Sequence, residues 1–126
     1  MANEPHLFWD EIRIEQLEVF ARIGVPEEER AKPQRLTVSI SFWPLQQACD
    51  LEDKIDEAVN YSAVAQETKS FISNQSVSLI ETLADRVATH LLKNFPIQKV
   101  AVEVRKFALP DAKHVSVTLS RAASVC

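Results

Sequence analysis

Four side chains in this sequence have the types and neighbourhoods for acid–base and recognition chemistry: Glu29, Tyr61, Glu81 and Lys106. Glu81 stands three residues after Ser78, at the head of the longest apolar-periodic stretch. On spacing alone, Ser78-Leu79-Ile80-Glu81 is a capping box, in which the glutamate reaches back to the cap residue's amide. The alternative is a carboxylate that grips a planar pair of N–H donors on a ligand, kept ionised by a helix N-terminus. Lys106 continues the parity of Val100, Val102 and Val104, so its stem starts on the apolar face at a strand end. Either it snorkels out to water, or it is a partly desolvated amine usable as acid and base. Glu29 closes a run of acids before Arg30, where a solvated loop charge is the plain reading. Tyr61 follows Asn60 at a helix start, a natural place for a packing aromatic with a wet hydroxyl. Taken singly, none of the four defines a site.

Other chemistries find little support. His6, His90 and His114 are widely spaced, with no pair at helical i,i+3 or i,i+4 spacing, so no metal site is expected. His90 falls inside the long helical stretch and reads as a helix-surface residue rather than a ligand. The serines lack the flanking glycines of a nucleophile elbow. The single glycine, Gly24, rules out a P-loop or a dinucleotide fingerprint, which need glycines where backbone meets phosphate. A net charge of −4 argues against a nucleic-acid binder, which needs a concentrated basic face. Cys49 and Cys126 have no metal-ligand spacing, and a reducing compartment suits them. The segment Met1 to Asp10 carries acids and no long apolar run, so neither a signal peptide nor a membrane span is expected, and the expected location is cytoplasmic.

The elements that must position the four side chains follow from periodicity. The 126 residues fit one domain, 1–126, with 1–10 as a loose N-terminal tail. Ile12 to Ile23 reads as a strand whose alternation slips once near Gln16, as a bulge would cause. Gln34 to Phe42 alternates cleanly, with Leu36, Val38, Ile40 and Phe42 on one face and Thr37, Ser39 and Ser41 on the other. The loop between them, through Gly24-Val25-Pro26 and Glu27 to Glu29, is too long for a tight turn. Ser62 to Ile72 and Ser78 to Asn94 carry helical apolar stripes, the second running through Leu79, Ile80, Leu83, Ala84, Val87, Ala88 and Leu91 before Pro96. Lys99 to Lys106 and His114 to Arg121 close the chain as strands. The order β-β-α-α-β-β predicts an α+β domain: a four-stranded antiparallel sheet with two helices on one face. Two open sheet edges remain, and side-by-side ring assembly would cover them, so a homo-oligomer is expected.

Taken together, the pieces resemble the dihydroneopterin aldolase family, over about Ile12 to Arg121. They are Ile23-Gly24-Val25, Glu29-Arg30 with Gln34, Asn60-Tyr61, Leu79-Ile80-Glu81-Thr82-Leu83-Ala84 and Val102-Glu103-Val104-Arg105-Lys106. The resemblance implies a tunnelling fold assembled as tetramers or octamers, with active sites between subunits. It implies a pterin substrate, with Glu81 accepting from the 2-amino group and ring N–H, aided by backbone near Leu79 and Ile80. Lys106 would be the main acid–base group, working with a bound water. Tyr61, from a neighbouring subunit, would handle protons at the enol-like intermediate. Glu29 would hold the substrate's hydroxylated tail or orient the lysine. Neither metal nor cofactor is implied, because the pterin's own C=N system can take the electrons that other aldolases pass to a Schiff base or a metal.

The chain departs from many family members after the lysine. The loop Phe107-Ala108-Leu109-Pro110-Asp111-Ala112 has one proline and no glycine. Together with Val115-Ser116-Val117-Thr118-Leu119 it resembles the related dihydroneopterin triphosphate epimerases, whereas Ile14-Glu15-Gln16-Leu17 and Ile23-Gly24-Val25 resemble the aldolases. An epimerase would need a basic cluster for the triphosphate, for which Arg22, Lys32, Arg35 and Lys113 are candidates. A third possibility is a non-catalytic, ring-forming pterin-binding module. The aldolase is the leading expectation.

Overall fold

The computed structural model describes residues 9–123; His6, Cys126 and residues 1–8 of the expected tail lie outside them. Strand β1 (Ile12–Ile23) pairs antiparallel with β2 (Gln34–Pro44), and the register shifts between Ile14 and Leu17. The slip centres on Gln16, at φ 52°, whose amide donates to Ser39 Oγ at 3.0 Å. This is the bulge that the broken alternation predicted. Helix α1 (Tyr61–Ser73) and helix α2 (Ile80–Asn94) follow, and β4 (Ile97–Lys106) and β5 (Val115–Ala122) end the described chain.

Between the helices lies β3 (Ser76–Val77), which makes the sheet five-stranded and mixed, in the order β3-β1-β2-β4-β5. This corrects the expected four-stranded antiparallel sheet. Two residues carry no readable period, and β3 exists only because folding sets Ser76 and Val77 parallel to Arg22 and Ile23. The Gly24 amide extends the pairing with a 3.1 Å bond to Val77 O. The other four strands keep the expected antiparallel arrangement.

The apolar rows meet where expected. Leu36, Val38, Ile40 and Phe42 on β2 and Val100, Val102 and Val104 on β4 are fully buried beneath Val64 and Ile72 of α1 and Leu83, Val87 and Leu91 of α2. Thr68 joins this core because its hydroxyl donates to Val64 O within the same helix at 2.8 Å. The two helices are clamped by His90, which stacks on Phe71 at 4.1 Å between ring centroids and meets Glu67 at 2.7 Å. His90 is therefore a half-buried interhelical contact, not the plain surface residue that its spacing suggested. No helix among the described residues is long and apolar enough to cross a membrane.

Candidate active site

Lys106 is the last residue of β4, paired with Leu36 on β2 and Val115 on β5. Strand parity starts its stem beside the core, and its side chain is only 15% exposed. The ammonium ends 2.9 Å from Glu29 Oε2. Glu29 sits in a short 3-10 turn, Glu27–Ala31, that links β1 to β2. Gln34, the first residue of β2, donates to the same Glu29 oxygen at 3.3 Å and also to the carbonyl of Ile23. The hydrogen bond from Lys106 holds the Glu29 carboxyl below the usual carboxylate range, and Gln34 adds to the shift.

Because the shift is downward, the stability it contributes is complete above the unfolded-state carboxylate pKa and is lost as pH falls through the lower folded value. We predict that acidification below the ordinary carboxylate range weakens the fold partly through this pair. Urea unfolding followed against pH should show a smaller acid loss in Glu29→Gln. Parallel acid limbs for the two proteins would mean that the pair contributes nothing.

Gly24 makes the position of Glu29 possible. Its φ of +149° is territory that only glycine occupies comfortably, and a methyl there would overlap the Cβ and carboxyl carbon of Glu29. We predict that Gly24→Ala destabilises the fold by about 1–3 kcal/mol and expels Glu29 from Lys106. Denaturant unfolding checks the first effect; an alanine variant as stable as the parent would contradict it.

Glu81 comes to the same place from the other side. Leu79, Ile80 and Glu81 form one wall of a cavity of about 380 Å³ whose other wall includes Lys106. The β4–β5 connection and β5 supply apolar surface through Leu109, Val115 and Val117. Glu81 and Lys106, 25 residues apart in sequence, thus face one cavity.

The capping box is not formed. Helix α2 begins at Ile80 with Leu79 as its cap residue, no side chain caps it, and its first bond runs from the Leu83 amide to Leu79 O at 3.2 Å. Glu81 is therefore the second helical residue, one position too early to reach back to Ser78. The cause is the chain's entry from β3: Leu79 stays extended at φ −120°, ψ 139°, and Ser78 Oγ turns towards Arg30 at 3.4 Å. Exposed and unspent on the cap, the Glu81 carboxylate sits at a positive helix end.

Tyr61 does not join this group within one chain. It opens α1 behind Asn60, whose Oδ1 accepts from the amides of Ser62 and Ala63, and it is 63% exposed, outside the cavity wall. Reasoning from sequence missed roles for Gln34 and Gly24, although both stood in the quoted motif pieces. The signal was present in one of them: a lone glycine beside a loop of acids marks a backbone that must let a side chain approach.

The dihydroneopterin aldolase family model, FolB, matches residues 12–120. A dihydroneopterin aldolase of Haemophilus influenzae is 31% identical over 114 residues, covering 89% of this chain and 96% of that protein. A dihydroneopterin triphosphate 2'-epimerase of Escherichia coli is 32% identical over 111 residues, covering 86% and 92%. Among solved structures, Escherichia coli dihydroneopterin aldolase in complex with neopterin superposes with a TM-score of 0.82 at 28% identity, covering 90% of this chain and 99% of that one. With its model spanning β1 to β5, the chain belongs to the dihydroneopterin aldolase family.

Proposed function

We propose that this chain is a dihydroneopterin aldolase, cleaving its substrate to 6-hydroxymethyl-dihydropterin and glycolaldehyde. The observation that carries the reading is the shared cavity: a carboxylate at a helix head and an ion-paired lysine at a strand end face one space of about 380 Å³. A carboxylate accepts from two parallel N–H donors, which is what the edge of a pterin offers to Glu81. Lys106 and a bound water relay the proton away from the side-chain hydroxyl next to the scissile bond. That oxygen's electrons form the aldehyde carbonyl, the broken C–C pair moves into the C=N unit of the pterin, and the ammonium returns a proton to the carbon left on the ring. Of the two roles open to Glu29, orienting the lysine is favoured by its 2.9 Å contact.

The site is completed in a homo-oligomer, tetramer or octamer, in which Tyr61 of a neighbouring subunit reaches the cavity. An exposed tyrosine away from its own cavity supports this reading. A reducing cytoplasmic setting suits the free, exposed thiol of Cys49.

The epimerase reading draws on the Escherichia coli relative, but two of the four candidate phosphate-binding cations are already engaged. The Arg22 guanidinium donates to Ala31 O and, at 3.4 Å, to Arg30 O. Arg35 pairs with Glu18 at 2.6 Å and stacks over Phe107. Side-by-side incubation with dihydroneopterin and its triphosphate decides between them. Glycolaldehyde release should dominate; inversion of the triphosphate outpacing cleavage would make the chain an epimerase, and no conversion of either would leave a binding module.

A further inference from the structure

Arg30 lies next to Glu29 in the 3-10 turn but faces away from Lys106 in its bonding. Its Nη1 donates to Gly24 O at 2.7 Å and Val25 O at 3.1 Å, and reaches Ser78 Oγ at 3.4 Å. The first two acceptors belong to the segment leaving β1. The third belongs to the segment between β3 and α2, 48 residues further along, and Ser78 itself lines the cavity. One half-buried cation therefore bridges the loop that carries Glu29 and the loop that leads into Leu79, Ile80 and Glu81.

We propose that Arg30 is a positioning residue for the reaction, tying the Glu29 turn to the Ser78 loop so that the Lys106–Glu29 pair and the Glu81 wall stand at one fixed spacing. The inference rests on the aldolase reading above. Physically, the two loops otherwise share little. The β1–β3 pairing covers only Arg22 with Ser76 and Ile23 with Val77, and the Gly24 amide to Val77 O adds one bond. Beyond Val77 no backbone bond holds Ser78 or Leu79 to the Glu29 turn among the described residues. The reach of the arginine side chain brings one terminal nitrogen, Nη1, within bonding distance of all three oxygens, whereas a lysine would hold an ammonium there on a more flexible stem. The three oxygens that Arg30 meets are two carbonyls and a hydroxyl, so the contacts fix the position of the two loops.

The test compares the full-length protein with Arg30→Lys and Arg30→Ala by steady-state turnover of dihydroneopterin and by hydrogen exchange of the backbone amides. Arg30→Ala should lower kcat about 10- to 100-fold, as expected when a reacting pair is displaced by a fraction of an ångström. Arg30→Lys should recover part of the loss. Amides of residues 76–80 should exchange faster in Arg30→Ala, as well as those of residues 24–31. Faster exchange confined to 24–31 would overturn the proposal, since Arg30 would then be a local staple. Unchanged kcat with both loops loosened would overturn it too. A wild-type protein that releases no glycolaldehyde would remove the reaction and this role together, whereas an active wild type with fully active Arg30 variants removes this role alone.

Discussion

Lys106→Ala is expected to lower turnover of dihydroneopterin by about 10²–10⁴-fold, the usual share of a positioned general acid–base, while affinity for a pterin that cannot react changes little. The reason is the division of labour in the cavity. Lys106 meets Glu29 and stands at the strand end, whereas the edge of the heterocycle falls to Glu81 on the other wall. Removing the amine also strips Glu29 of its partner, so a loss of activity in the alanine variant mixes two effects. Lys106→Arg separates them. An arginine keeps a cation beside Glu29 but cannot release its proton in a protein. If proton transfer is the task, the arginine variant keeps its fold and its pterin affinity and still loses turnover. Arginine activity close to wild type would mean that charge alone is required, and the acid–base assignment would go. Single-turnover measurement of glycolaldehyde, beside equilibrium binding of neopterin, reads the two quantities independently.

Much of the scaffold that places Lys106 was legible because its signals are local and periodic. Alternation at Leu36, Val38, Ile40 and Phe42 fixed the inner face of β2, and all four are fully buried. The parity that ran from Val100 to Lys106 correctly put the lysine stem beside the core. The bulge at Gln16 was visible as a broken period. What escaped was whatever depends on chain segments meeting. Strand β3 is two residues long and owes its existence to the end of β1. The opposite face of β2 is another case: Thr37, Ser39 and Ser41 alternate as an outward row yet are 2–3% exposed. The neighbouring strand β1 meets two of them, the Arg13 side chain donating to Ser41 Oγ at 2.8 Å and the Gln16 amide of the bulge to Ser39 Oγ at 3.0 Å. Period-2 patterning tells which face a side chain takes, not what its neighbours lay over it. The Glu29–Lys106 pair likewise joins a loop to a strand end 77 residues later, and residue types alone made each a plain surface charge.

The failed capping box turns into an advantage for testing Glu81. Had Glu81 closed a box with Ser78, any substitution would have cost helix stability as well as ligand contacts, up to about 1 kcal/mol. With Leu79 as an uncapped helix start, that coupling is gone, and only the dipole interaction remains, typically about 0.3–1 kcal/mol when exposed. Glu81→Gln is therefore expected to leave the fold nearly unchanged and to weaken pterin binding about 10- to 100-fold, the loss that follows when a charged hydrogen bond worth roughly 1.5–3 kcal/mol is removed. An amide offers one acceptor and one donor where the pterin edge presents two donors, so one pair must clash or go unmade. Turnover at saturating substrate should fall far less than affinity, because Lys106 still stands opposite. Neopterin titration, thermal unfolding and kcat on the same preparation check all three statements. Intact affinity with lost turnover would move Glu81 from recognition into the chemistry, and affinity that survives Glu81→Ala as well would show that the heterocycle is held by other walls.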